Sequence, residues 1–188
     1  MMIRPATPAD AETLMKLRLE AEQWLAQAGI DQWRDPATRV PALQKWHRDI
    51  AAGRTWVVDE GPTVVATITL ASPDGDFWGE SDDPESAVYV AKLITARSVK
   101  GQRIGGRLLD WAGAQARHRG LPWVRLDCWR SNIALQKFYL QEGFRHVRTE
   151  ALPHRLSGWL GQRSASVARH PEACRLPHEV GKEIGVAS

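Results

Sequence analysis

Residues 87–109 constrain this chain more than any other stretch. They read AVYVAKLITARSVKGQRIGGRLL and carry Lys92, Arg97, Lys100, Arg103 and Arg107 with no acidic residue. The first part, 87–95, has the apolar, partly β-branched composition of a strand. The last part, from Ile104 through Leu108 and Leu109, has the spacing of a helix. Between them, Lys100-Gly101-Gln102-Arg103-Ile104-Gly105-Gly106 turns strand into helix. A helix start presents unpaired N–H groups and partial positive charge, and glycines let a ligand approach the backbone. Strand, basic glycine loop and helix therefore suit an anion at the carboxyl end of a strand. Neither GxxxxGKS/T nor GxGxxG occurs in it, so the two usual nucleotide fingerprints do not apply. The loop alone fits a turn with solvated arginines equally well.

The flanking sequence alternates helix and strand signals. Residues 2–5 suit a short strand. Thr7-Pro8-Ala9-Asp10 is a helix start, with apolar spacing at Leu14, Leu17, Ala21, Trp24 and Leu25, and Gly29 as the stop. Residues 30–35 read as loop and 41–52 as a second helix. Strands at 55–58 and 63–70 flank a turn at Glu60-Gly61-Pro62, which predicts a hairpin. A polar connection spans 72–86. After the glycine loop come a helix over 104–119, a strand over 123–129, a helix over 132–142, and strands over 144–149 and 156–162. This order predicts a single α/β (α+β) domain over 1–164, with a central mixed, mostly antiparallel sheet flanked by helices. The pattern fades beyond 164, and residues 165–188 are expected to form a loosely ordered tail.

Composition narrows the class. The 188 residues include 25 Lys and Arg against 22 Asp and Glu, for a net charge of +3. That is too slight a bias for a nucleic-acid binder, and no aromatic-basic stripe or helix-turn-helix pattern supports one. No apolar run approaches the roughly 18 residues of a membrane span, and no signal segment follows Met1, so a cytoplasmic protein is expected. Cys128 and Cys174 lack any His/Cys ligand spacing, which predicts no metal and a reducing compartment. The nine tryptophans exceed the five Tyr and Phe together, and most are assigned to core packing.

Taken together, these motifs resemble the GNAT superfamily of acetyl-CoA-dependent N-acetyltransferases. The family's pyrophosphate motif, Gln/Arg-x-x-Gly-x-Gly/Ala, aligns with Lys100 to Gly105, with Lys100 at the first position and Arg103 where the family has glycine. Asn132-Ile133-Ala134 and Tyr139 through Gly143-Phe144 match the later motif, and the start at 3–10 is also typical. The resemblance covers roughly residues 1–164. It implies acetyl-CoA as co-substrate, with Leu93, Ile94 and Thr95 on pantetheine. Lys100, Gly101, Gln102, Arg103, Ile104, Gly105 and Gly106 would then hold the pyrophosphate, and Asn132 would contact the cofactor. Asn132 also suits a plain helix N-cap.

The resemblance further implies transfer of an acetyl group to a primary amine. Tyr139 would protonate the leaving thiolate, although its spacing with Leu135 and Phe138 also suits a core residue. Asp127, on its strand between Leu126 and Cys128, and Glu85, before the cofactor strand, are the candidate general bases. Cys128 is expected to be buried and inert. Trp24, Trp33, Trp46 and Trp78 fall on the acceptor side, beside an acidic stretch from Asp74 to Glu85 that would attract a cation if it is not merely solvated. The alternative to an enzyme is a non-catalytic acyl-CoA-binding or sensing module. A homodimer is left open.

Overall fold

The computed structural model describes residues 1–170. The chain enters through strand β1 (Met2–Pro5). The Asp10 carboxylate accepts from the Thr7 N–H at 2.7 Å and its hydroxyl at 2.9 Å. Arg4 clamps the same carboxylate from β1. The first turn is consequently 3-10, and helix α1 proper runs Ala11–Gln27. It ends as the glycine predicts: Gly29 has φ +73°, and the Ile30 and Gly29 N–H groups donate to Leu25 and Ala26.

Helix α2 (Arg39–Ala51) begins earlier than the apolar spacing suggests. Asp35 accepts from the Ala37 N–H at 2.9 Å across a 3-10 turn at Pro36–Thr38. Asp followed by Pro is a helix-start signal that the apolar count passes over. The hairpin follows as β2 (Thr55–Glu60) and β3 (Thr63–Ala71). The remaining elements are β4 (Ala87–Thr95), α3 (Ile104–His118), β5 (Trp123–Trp129), α4 (Ile133–Gln141), β6 (Arg145–Thr149) and β7 (Ser157–Ser164).

The strands form one seven-stranded sheet in the order β1-β2-β3-β4-β5-β7-β6. Every pairing is antiparallel except β4 with β5. Helices α3 and α4 cover one face over Leu108, Leu109, Val124 and Leu126. Helices α1 and α2 cover the other over Leu14, Leu17, Trp46 and Val57.

Two regions differ from the sequence-based expectation. The 72–86 connection is anchored: Phe77 and Trp78 are buried against Tyr89 and Leu160, and Arg148 of β6 donates to Asp82 and to the Phe77 carbonyl. Residues 165–170, expected to be loose, are anchored at both ends, although Ser166, Ala168 and Arg169 are exposed. Ala165 is buried, and the Arg169 and His170 N–H groups donate to Asp110 of α3 at 2.7 and 2.6 Å. Asp110 also pairs with Arg163 in the interior. A buried charge needs partners, and these backbone donors help to supply them. The rest of the expected tail, 171–188, with Cys174, lies outside the described residues. Among the described residues, no helix is long and apolar enough to cross a membrane.

Candidate active site

The parallel pair β4 and β5 hydrogen-bonds only over 87–89 and 123–125. Beyond that the strands part. Ile94 and Thr95 keep their β3 partners, Thr67 and Ala66, and leave the other edge free. A bulge lies just before that edge. Thr69 faces Ala91 while Thr67 faces Ile94, so β4 carries one extra residue, and Lys92 has φ +50°. The bulge is tied down: the Lys92 ammonium pairs with Asp49 of α2 and lies 5.5 Å from the Trp46 ring centre. Burial lowers the Lys92 pKa, and the Asp49 hydrogen bond opposes that shift.

Between the parted strands and α1 lies a cleft of about 360 Å³. Leu93, Ile94 and Thr95 line it, as do Lys100, Gly101, Arg103, Ile104 and Gly105. Residues 99–102 form a turn closed by the Gln102 N–H on the Val99 carbonyl at 3.2 Å, with φ +89° at Gly101. Arg103 then adopts φ +55°, ψ +25° immediately before α3. This is left-handed backbone, so the arginine stands in a glycine's conformation. No side chain caps α3, which leaves the N–H groups of its first turn available to an anion. A Cβ on Gly105 would sit 3.2 Å from the Phe138 ring. Gln102 and Gly106 are not brought to the cleft: Gln102 is exposed, and Gly106 is buried against His170 and Glu142.

Tyr139 lines the same cleft from α4 while remaining 6% exposed. Its ring packs on Phe144 at 5.6 Å and Trp159 at 6.5 Å. Burial raises its pKa, so the phenol keeps its proton. Cys128 lies in the same core, and burial pushes its thiol up to about 12. Such a thiol is not a nucleophile.

Asp127 does not line the cleft. Strand alternation sends Val124, Leu126 and Cys128 toward α3 and α4 and turns Asp127 to the other face. There burial raises its pKa, against a hydrogen bond from Ser157 and the charge of Arg155. Glu85 is not brought to the site at all. It is exposed in the 3-10 turn before β4, with six residues, or about 20 Å, of strand between Ala87 and Leu93.

The opposite wall comes from α1 and the loop after it: Ala21, Trp24, Leu25, Gln32 and Trp33. Arg97 lies over Trp24 at 5.0 Å and Arg18 over Trp33 at 5.1 Å. Asn132 caps α4 by accepting from the Leu135 N–H at 3.0 Å and donates to Gln32 at 2.7 Å. Asp31 accepts from Trp129 at 2.9 Å and from Ser131. Gln32, Arg97 and Phe138 were not among the expected site residues; Arg97 belonged to the acid-free basic run and Phe138 stood one position before Tyr139, while Gln32 carried no signal. Trp46 and Trp78 belong to the core. The acidic stretch is partly neutralised, since Asp74 and Asp76 pair with Arg155 and Asp82 pairs with Arg148.

The fold matches that of known proteins. The model of the acetyltransferase (GNAT) family matches residues 17–144. The chain belongs to this family; it is an acyltransferase with acetyl-CoA as co-substrate. An N-acetyltransferase of Bacillus subtilis, YesJ, described as uncharacterized, is 27% identical over 156 residues, covering 81% of this chain and 86% of that protein. The fold is similar to a GNAT-family acetyltransferase from Listeria monocytogenes, with a TM-score of 0.69 at 20% identity, covering 87% of this chain and 94% of that one. It is also similar to the PaiA N-acetyltransferase from Thermoplasma acidophilum in complex with coenzyme A, with a TM-score of 0.63 at 20% identity, covering 86% and 97%.

Proposed function

We propose that this protein moves an acetyl group from acetyl-CoA directly to a primary amine. The observation that carries the reading is the parting of β4 from β5 with Tyr139 lining the resulting cleft. The free edge at Leu93, Ile94 and Thr95 suits the amides of pantetheine. The turn at Gly101 and the uncapped first turn of α3 suit the diphosphate. Tyr139 is the general acid: as the C–N bond forms and the C–S bond breaks, it gives its proton to the departing thiolate. Asp127 is the general base for the acceptor ammonium, acting from the other sheet face through water. Its raised pKa makes it a stronger base than an ordinary carboxylate.

The test is thiol release from acetyl-CoA with a panel of primary amines, beside direct measurement of acetyl-CoA binding. Amine-dependent thiol release is expected. Binding without release from any amine would favour the acyl-CoA-binding module instead. No binding at millimolar concentration would overturn both readings.

A further inference from the structure

A second hollow, of about 420 Å³, lies between the start of α3 and the far end of α4. It shares Arg103, Gly105 and Phe138 with the main cleft, so the two run together past the turn at Gly101. Its outer wall comes from the segment after β7, beyond the stretch that the family model matches. That segment runs back along α3 toward its N-terminus. Ala165 lies over Gly113, the Arg169 and His170 N–H groups bind Asp110, and the His170 ring reaches Gly106. A Cβ on Gly106 would fall 2.2 Å from the His170 Nε2, so this close approach needs glycine.

The run seats Arg169 at the hollow, with its Nε 3.3 Å from where a Gly143 Cβ would be. Among the described residues, neither Arg103 nor Arg169 makes an ion pair through its guanidinium. The one carboxylate lining the hollow, Glu142, is engaged by His170 at 2.9 Å. The hollow therefore offers two free guanidinium groups, the residue type suited to forked phosphate contacts.

We propose that Arg169, with Arg103, binds the ribose 3′-phosphate at the nucleotide end of acetyl-CoA, so that the segment after β7 sets the enzyme's preference for the phosphorylated donor. The inference rests on the acetyl-CoA reading above. Acetyl-CoA is linear: thioester, pantetheine, diphosphate, nucleotide. With the thioester between the parted strands and the diphosphate at the start of α3, the nucleotide end reaches this hollow.

The experiment is calorimetric titration of the full chain with CoA and with 3′-dephospho-CoA, for wild type, Arg169→Gln and Arg169→Lys. A charged hydrogen-bond partner is worth roughly tenfold to a hundredfold in affinity. The wild type is expected to prefer CoA by about that factor, R169Q to lose the preference and R169K to keep part of it. Dephospho-CoA affinity should be unchanged throughout. The backbone anchor on Asp110 survives these substitutions, and each variant's Tm verifies folding. Equal wild-type affinity for the two ligands would overturn the inference while leaving the acetyl-CoA site intact. Equal weakening of both ligands in R169Q would reduce Arg169 to a structural role and overturn it too. Failure of the wild type to bind either ligand would instead overturn the acetyl-CoA reading itself.

Discussion

The two walls of the cleft are built by different means. The wall at 93–105 is contiguous in sequence and made largely of backbone: a free strand edge, a turn at Gly101 and an uncapped helix start. The facing wall is made of side chains brought together from far apart. Gln32 meets Asn132, and Asp31 meets Trp129 and Ser131, across about a hundred residues of chain. Backbone geometry depends on short-range rules and tolerates substitution wherever the dihedral angles survive. A side-chain wall depends on each partner. Chemistry is therefore expected to be more fragile on the second side of the cleft than on the first.

Tyr139→Phe tests this most directly. It removes one oxygen from the α4 side and leaves the backbone wall untouched. Loss of a general acid costs roughly 10²–10⁴-fold in turnover. We expect that fall in kcat with unchanged acetyl-CoA affinity, read by thiol release and calorimetry. Unchanged kcat would remove the acid role from Tyr139.

Asp127→Asn comes next, and pH gives it a signature. Burial raises the Asp127 pKa, so kcat/KM should fall as pH drops through a value above the ordinary carboxylate range of about 4. The asparagine variant should lose that acidic limb along with about a hundredfold in rate. The sign for stability runs opposite to that of Asp10, whose pKa is held down to about 2 by the Arg4 hydrogen bond. Asp10 adds stability above its unfolded pKa and loses it as pH falls toward 2. Asp127 favours the folded state when protonated and loses that contribution as pH rises through its folded pKa. The difference in melting temperature between wild type and each of Asp10→Asn and Asp127→Asn, followed against pH, should show these opposite slopes.

Asn132→Ala tests the facing wall by stability. It removes the α4 cap, worth about 1 kcal/mol, and strands the Gln32 amide, at about 1–3 kcal/mol. At roughly 2–4 °C per kcal/mol, the melting temperature should fall by about 4–16 °C. A drop of only about 2–4 °C, the share of the cap alone, would mean that the contact with Gln32 contributes nothing.

The same contrast accounts for what the sequence disclosed. The succession of helices and strands, the glycine loop and the Asn132 cap follow from local patterns: alternation, apolar spacing and turn residues. Lys92 carries no such mark, because its bulge arises from register against β3 and from Asp49 on α2. Glu85 looked usable because it precedes the cofactor strand, but strand length carries it to the far end of the sheet. Residues 165–170 read as tail because their anchor, Asp110, lies some sixty positions away on α3.

Arg103→Gly is expected to have the smallest effect on folding, and it probes the backbone wall itself. The native φ of +55° costs a side-chain-bearing residue about 1–2 kcal/mol, which glycine would recover. Against this, glycine adds freedom to the unfolded chain worth about 0.5–1 kcal/mol. The two largely offset, leaving about 0–1.5 kcal/mol, so the melting temperature should move by no more than about 6 °C. Because the turn needs only its dihedral angles, 3′-dephospho-CoA should bind the variant within about threefold of wild type, less than the loss of one hydrogen bond to a charged group. A larger loss with dephospho-CoA would mean that the guanidinium, rather than the backbone, holds the diphosphate, and the contrast between the two walls would fail on the side where it is drawn most sharply.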